Sequence, residues 1–306
     1  MRKPSVVFLF VSLVMFGCQP GENVTSSDAS SLSDRQAAPT LVITAIPDEN
    51  VSDQQIKFAA LESYLQQQLG IKTQFSISKD YAAAVQRFKN GEVHLAWFGG
   101  LTGVQARIAV PGARAIAQGA VDPYYKSYFI AHQATGLTRS DEFPGDKIRD
   151  LTFSFGSPSS TSGRLMPTYF IREATGKMPN EFFIKPVQFQ DQGGHVATAK
   201  AVEAGAAQVG VLNYKTYDSL VASGKLDPSK APIIWVTPPY ADYNLTVHPA
   251  LEQMFGSGFI DRLQTVLIDC EDPKVLYAFN RDDLIPAKNA DFDGILATAR
   301  DVGLMR

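Results

Sequence analysis

Short apolar runs alternate with segments of helical periodicity through most of this chain. In the first block, the apolar runs and the helical patterns that follow them occupy residues 41–46, 53–69, 71–77, 81–90, 93–98 and 101–109. In a second block, predicted strands lie at 152–155, 186–189 and 209–212, and predicted helices at 163–175, 195–204 and 214–223. This alternation predicts an α/β protein whose sheets are mainly parallel and covered by helices.

Two extended stretches, at 127–133 and 233–237, join the two blocks. A chain with two such crossings leaves a first lobe, builds a second lobe and then returns. We therefore expect a first lobe made of residues 41–127 and 238–306, with a second lobe at 128–237 between them.

Residues 1–17 have the pattern of a secretory signal peptide. A positively charged start precedes an apolar run at 6–16, which is too short to remain as a membrane-spanning helix. The run ends at Cys18 in a sequence that resembles a bacterial lipobox, although Phe16 is bulkier than the usual small residue. We expect cleavage before Cys18 and acylation of that cysteine. A plain cleaved signal peptide with an incidental cysteine is the alternative.

Residues 18–39 are rich in Ser, Asp, Ala, Gln and Gly. Such a segment cannot bury enough apolar surface to offset its chain entropy, so we expect a disordered, lipidated tether. With Cys18 used for the anchor, Cys270 is the remaining cysteine, and no intramolecular disulfide can form. The net charge of −3 argues against nucleic-acid binding.

The loop at 155–163, between a predicted strand and a predicted helix, is the best candidate for a binding site. Ligands of parallel sheets bind at the carboxyl ends of the strands, and a helix start offers unpaired N–H groups to an anion. Ser160, Thr161 and Ser162 add hydroxyl donors there. The alternative is one ordinary helix-capping serine in a polar loop. Pro167 indicates a kink, or a helix that begins later than residue 163.

Other candidate residues lie at turns near predicted strand or helix ends. His195 follows two glycines and can either donate to an oxyanion or cap its helix. Two prolines stiffen the segment that carries Tyr240 and Asp242 as the chain leaves the second crossing. Trp97 lies at a strand end, where it can form the wall of a pocket, although core packing explains Trp97 and Tyr240 equally well.

Several catalytic and metal-binding patterns are missing from the sequence. The 155–163 loop lacks the Gly-Lys-Ser/Thr of a nucleotide-binding loop, and the chain has no Gly-x-Ser-x-Gly nucleophile elbow. Ser160 or Ser162 could form a hydrolytic pair with His195, but no motif places an acid to orient the histidine. The four histidines show no ligand spacing, so we expect no metal and no cofactor.

Six motifs together resemble the phosphonate, phosphite and phosphate solute-binding components of ATP-driven importers, and are most similar to a branch assigned to selenate binding. They occupy residues 45–50, 80–85, 95–100, 155–163, 193–195 and 237–244. The resemblance implies a two-lobed, type II-like periplasmic-binding-protein fold with two crossover strands, which closes over its ligand by hinge motion.

The resemblance also implies the parts of the site. Ser160, Thr161, Ser162 and His195 are expected to hold the oxyanion, with Tyr240 and Asp242 on the opposite side of the cleft. In aminophosphonate-binding relatives, carboxylates hold the ligand's amine. Asn213 stands at one such position, which favours a compact oxyanion without an amine.

The leading hypothesis is a monomeric, non-catalytic receptor in the periplasm or on the outer face of the cell membrane. It would capture selenate, phosphonate, phosphite or phosphate for an ABC permease and its ATPase. The alternatives are a membrane-anchored sensing subunit for a signalling partner and an exported Ser/His hydrolase.

Overall fold

The computed structural model describes residues 38–306. The predicted signal peptide, Cys18 and nearly all of the predicted tether lie outside the described residues. Pro39–Arg306 form one compact unit. The strands are β1 (Thr40–Ala45), β2 (Lys72–Phe75), β3 (Leu95–Phe98), β4 (Arg114–Gly119), β5 (Ser127–Ala131), β6 (Phe153–Ser154), β7 (Val209–Asn213), β8 (Ile233–Val236), β9 (Asn244–Val247) and β10 (Leu284–Pro286).

Within the described residues, the first sheet has six strands in the order β10-β4-β9-β3-β1-β2. β1 is parallel to β2 and β3, but β9 is antiparallel to both β3 and β4, and β10 is antiparallel to β4. The expectation of mainly parallel sheets was therefore wrong. The physical reason is that β9 returns from the second sheet and enters between β3 and β4 against their direction.

The second sheet has the order β6-β7-β5-β8 in the described part of the chain. β5 is antiparallel to β7 and β8, and β6 is parallel to β7. The strand predicted at 186–189 is reduced to a single bridge between Ser154 and Gln188. Pro186 has no N–H to donate, which disfavours a continuous ladder at this edge.

Helices cover both sheets. Among residues 38–306 they are α1 (Val51–Leu69), α2 (Tyr81–Lys89), α3 (Gly100–Ala109), α4 (Met166–Thr175), α5 (Pro179–Phe182), α6 (Gly194–Glu203), α7 (Tyr214–Ala222), α8 (Ala250–Phe255), α9 (Phe259–Ile268), α10 (Pro273–Leu276) and α11 (Asp293–Asp301). No helix of this region is both long and apolar enough to cross a membrane.

Local sequence explains where several helices begin. The Asn50 side chain accepts from the first backbone N–H groups of α1, and Asp80 caps α2 in the same way. A π-helical turn at Thr161–Leu165 precedes α4, which begins at Met166 rather than at residue 163. Pro167 lies in the first turn of α4, where its missing N–H costs no hydrogen bond.

The apolar core is divided between the two sheets. The largest buried cluster surrounds the first sheet, and two smaller clusters pack on the second sheet. Each sheet with its helices forms one lobe. The chain around the start of α4 contacts both cores, because Leu165 and Met166 pack with the first lobe whereas Ile171 packs with the second.

The two segments that cross between the lobes pair with each other. Tyr125 and Tyr240 exchange two backbone hydrogen bonds of 2.8 Å and 3.0 Å. The Asp242 N–H donates to the carbonyl of Asp122 at 3.0 Å. The Asp122 side chain in turn forms a buried ion pair with Arg281. The crossings therefore make a short ribbon that is fixed to the first lobe.

We predict that Gly119→Ala destabilises the protein by about 1–3 kcal/mol, because overpacking of a filled core has a cost of that order. A Cβ at Gly119 would lie 2.5 Å from Cδ of Arg281. Urea unfolding measures the change. Gly294→Ala in α11 is the matched control, because a Cβ there meets nothing within 4 Å. Equal stability of the two variants would contradict the packing described here.

Candidate ligand-binding site

The three hydroxyl residues of the loop after β6 are all buried, each at most 2% exposed. Ser160 begins the π-helical turn, and its Oγ accepts from the N–H of Gly163 at 2.9 Å, which leaves its own proton free to donate. Gly163 allows a close approach, since a Cβ there would lie 3.1 Å from both the Cα of Gly156 and Cε1 of His195.

His195 is a buried, neutral hydrogen-bond donor. Its Nδ1 accepts from the backbone N–H of Asn213 at 3.3 Å, so the proton sits on Nε2, which lies 3.5 Å from the Ser162 Oγ. Burial lowers the pKa of His195 to about 3. The ring is thus oriented by β7 and does not cap its own helix, and its Nε2–H group faces the hydroxyl cluster.

The start of α3 brings the two lobes together. Its cap, Gly99, has no side chain, and other parts of the chain satisfy the free N–H groups. The Gly100 N–H donates to Asp242 Oδ1, and the Leu101 N–H donates to Thr161 Oγ1, both at 2.9 Å. A Cβ at Gly99 would lie 3.1 Å from each of these oxygens, so the close approach requires glycine.

Of the two side-chain oxygens of Asp242, Oδ1 accepts a hydrogen bond from Gly100 and Oδ2 has no partner among the described residues. Oδ2 is buried, although it lies near the hydroxyls of Thr161 and Ser162. Burial raises the pKa of Asp242 to about 7, against the lowering effect of the Gly100 N–H. The carboxyl group therefore titrates near neutral pH and can act as a donor or as an acceptor.

Tyr240 positions the loop and has no free proton. Ser127 Oγ donates to the carbonyl of Ser162 at 2.7 Å. The single Ser127 proton is thereby used, so the Tyr240 hydroxyl is the donor in its 2.5 Å contact with Ser127. Tyr240 therefore fixes the backbone of the hydroxyl loop from the second crossing.

Trp97 and Asn213 line a small neighbouring cavity of about 30 Å³ and do not join the hydroxyl cluster with their side chains. Trp97 stacks on Tyr243 with ring centroids 5.3 Å apart. Asn213 Nδ2 donates to the Tyr243 hydroxyl at 3.0 Å, and that hydroxyl donates to Asp48 Oδ2 at 2.7 Å. These two predicted residues thus belong to a wall that joins the lobes.

Tyr81 was missed as a site residue by sequence reasoning. It is 1% exposed, and its hydroxyl has no hydrogen-bond partner in the described part of the chain, although it faces Ser160. The hydroxyl also lies 3.3 Å from the position of a Cβ on Gly194 in the other lobe. The available signal was its place directly after the capping Asp80, beyond the end of β2.

The described residues contain no group of three or more His, Cys, Asp and Glu side chains that could hold a metal ion. The cluster instead consists of neutral hydroxyls, one neutral imidazole and one carboxyl group of raised pKa. Two α/β lobes joined by paired crossings, with these groups enclosed between them, define a two-lobed solute-binding protein.

A family model described as ABC transporter, phosphonate, periplasmic substrate-binding protein matches residues 43–292. The chain belongs to this family of periplasmic substrate-binding components of ABC importers.

Its relatives bind or import phosphorus oxyanions, according to their names. The probable ABC transporter phosphite binding protein PhnD1 of Prochlorococcus marinus is 33% identical, over 87% of this chain and 91% of its own length. The phosphate-import protein PhnD of Mycolicibacterium smegmatis is 29% identical, over 93% of this chain and 91% of its own length. The structure of the Prochlorococcus PhnD1 in complex with methylphosphonate matches with a TM-score of 0.82 at 32% identity, over 87% of this chain and 99% of that one.

We predict that Asp242 makes the ligand-free protein less stable as the pH rises. Its folded pKa of about 7 lies above the ordinary value of 3.8, so the native state binds the proton more tightly. The resulting stability, up to about 4 kcal/mol, is fully present below pH 3.8 and is lost as the pH rises through 7. Urea unfolding across this range measures it.

Asp242→Asn should remove this part of the pH dependence. Burial also raises the pKa values of Asp48 and Glu49, so the informative quantity is the difference between wild type and variant. A difference that does not change with pH would contradict the raised pKa of Asp242.

Proposed function

We propose that this protein encloses one compact tetrahedral oxyanion, phosphite or a small phosphonate such as methylphosphonate, between its lobes and presents it to the permease and ATPase of its importer. The observation that carries this proposal is the convergence of buried neutral donors on one place. Ser160, Thr161 and Ser162 are buried in one loop, and the Nε2–H of His195 lies 3.5 Å from the Ser162 hydroxyl. The Ser160 and Thr161 oxygens accept from backbone N–H groups, which leaves their own protons to donate. Neutral donors hold an anion without a buried cation.

The carboxyl group of Asp242 supports a preference among oxyanions. An ionised Asp242 repels a fully ionised ligand, whereas one shared proton converts the contact into a hydrogen bond. Phosphite, phosphate and phosphonates carry a proton near neutral pH, and sulfate and selenate do not. We therefore place phosphite and methylphosphonate ahead of selenate. The names of the relatives, a phosphite binding protein and a phosphate-import protein, agree with this order.

We further propose that the mature protein acts as a monomer held to the outer face of the membrane by a lipid on Cys18. The sequence at the end of the apolar run supports this, since acylation at that cysteine leaves a tether before the first strand. The anchor keeps the receptor near its importer. No group in the cluster is positioned as a nucleophile with an oriented base and acid, which supports binding without catalysis.

We predict that Ser160→Ala combined with Thr161→Val weakens binding of phosphite at least about a hundredfold. Each hydrogen bond to a charged group contributes roughly 1.5–3 kcal/mol. Calorimetric titration with phosphite, methylphosphonate, phosphate, 2-aminoethylphosphonate, sulfate and selenate measures the loss and ranks the ligands. Ser159→Ala, in the same loop, is the control and should bind as wild type does. Unchanged phosphite affinity of the double variant would contradict the assignment of the site. If the wild-type protein binds none of the ligands in the panel, the proposed ligand class is wrong.

We predict that Tyr81→Phe separates stability from binding. Its hydroxyl is buried without a partner, so its removal should leave the ligand-free protein as stable as wild type or up to about 1–3 kcal/mol more stable. Loss of a donor to the oxyanion should weaken affinity roughly 10- to 100-fold. Urea unfolding and calorimetry on the same preparation test both. A variant that loses stability and keeps its affinity would exclude Tyr81 from the site.

A further inference from the structure

A buried ion pair lies next to the segment that carries Asp242. Arg281 Nε lies 3.0 Å from both carboxylate oxygens of Asp122, and the two side chains are 3% and 0% exposed. Asp122 Oδ2 also accepts from the Gly119 N–H at 2.7 Å, and Arg281 Nη1 donates to the carbonyls of Phe279 and Asn280. Burial raises the pKa of Asp122 and acts to lower that of Arg281, while the opposite charge of each partner acts against burial. The contacts of Arg281 with both carboxylate oxygens favour the ionised pair.

The pair is tied to the ligand site through the crossing ribbon. The backbone carbonyl of Asp122 accepts from the N–H of Asp242 at 3.0 Å. The Arg281 guanidinium lies 5.0–5.4 Å from the ring centroids of three aromatic residues, Trp97, Tyr125 and Tyr243. These rings come from β3, from the first crossing and from the segment just after Asp242. The pair therefore fixes the backbone and the aromatic wall around that carboxyl group.

The titratable groups around Asp242 come from every element packed against it. They are Asp122 and Tyr125 from the first crossing, Tyr240 and Tyr243 from its own segment, Tyr81 from α2 and His195 from α6. Burial raises the pKa of all four tyrosines well above the usual 10.0 and lowers the pKa of His195 to about 3, so these groups are neutral. Two causes raise the pKa of Asp242, of which burial is the larger and the charge of Asp122 the smaller.

We propose that the Asp122–Arg281 pair is a specificity-determining element of the oxyanion site, although neither side chain lies among the donors. Burial is the main cause of the raised pKa of Asp242, and the negative charge of Asp122 adds to it, so the carboxyl group keeps its proton to a higher pH than an exposed one does. The charge of Asp122 thereby raises the pH up to which Asp242 can donate to a fully ionised oxyanion. This inference rests on the proposed function for its ligand, but its effect on Asp242 is measurable without one.

The test is a pH titration of the Asp242 carboxyl carbon by NMR in the ligand-free protein, with the signal assigned through Asp242→Asn. Asp122→Asn should lower the midpoint by about one pH unit or more, because the positive Arg281 then remains unbalanced. Asp122→Asn with Arg281→Gln removes both charges and should shift the midpoint less, in the same direction. This double variant also covers failure of the single variant to fold, since neutral replacement of a buried pair is often tolerated.

Phosphite affinity across the same pH range is the second readout. The pH at which affinity falls should move down with the Asp242 midpoint, whereas Asp261→Asn, in the exposed pair with Arg114, should leave both unchanged. If the pair has a purely structural role, its variants should bind phosphite more weakly by the same factor at every pH, and the midpoint of the Asp242 titration should not change. That result would overturn the inference. If wild type binds no member of the panel, the proposed function fails, and the NMR midpoint still decides the role of Asp122.

Discussion

Two backbone N–H groups at the start of α3 bring the halves of the site together. One donates to Asp242 on the return segment of the first lobe, and the next donates to Thr161 on the loop of the second lobe. A helix start with a glycine cap leaves such groups free, and the positive end of the helix dipole favours the oxygens that approach it. The enclosed arrangement of the hydroxyl loop, His195 and Asp242 depends on these contacts, because they fix the distance between the lobes at the candidate site.

The cluster of hydroxyls, imidazole and carboxyl group contains no cationic side chain of the described residues. Hydroxyls and a neutral imidazole supply donors, and the neighbouring polar groups are mostly occupied with each other, as in the chain from Asn213 through Tyr243 to Asp48. The exceptions are the Tyr81 hydroxyl and Asp242 Oδ2, two buried polar atoms without partners in the described residues. Groups of this kind are costly in an unliganded protein, and a ligand bound at the cluster would supply their missing partners.

The alternation of strands and helices and a start of α4 later than residue 163 were predicted from local sequence, because they depend on periodicity and on the backbone of Pro167. The relative direction of the strands could not be predicted from local sequence. β9 pairs with β3 and β4 from more than a hundred residues away, and β4 was not predicted at all. The strand predicted at 186–189 was also wrong, because Pro186 has no N–H to donate at this sheet edge and a single bridge to Ser154 forms there.

The sequence by itself determined the α/β class, the two-block organisation, the hydroxyl loop at 160–162 and the family resemblance, since each is carried by composition, spacing or contiguous motifs. Tertiary structure alone decided how those residues act. Tyr240 and Asn213 form hydrogen bonds that position other side chains, and Trp97 stacks on Tyr243. The hydroxyl of Tyr81 is buried at the cluster, and the carbonyl of Asp122 accepts from the N–H of Asp242. The reason is that a hydrogen bond's direction and a carboxyl group's protonation depend on burial and on partners distant in the chain, and no local pattern records these.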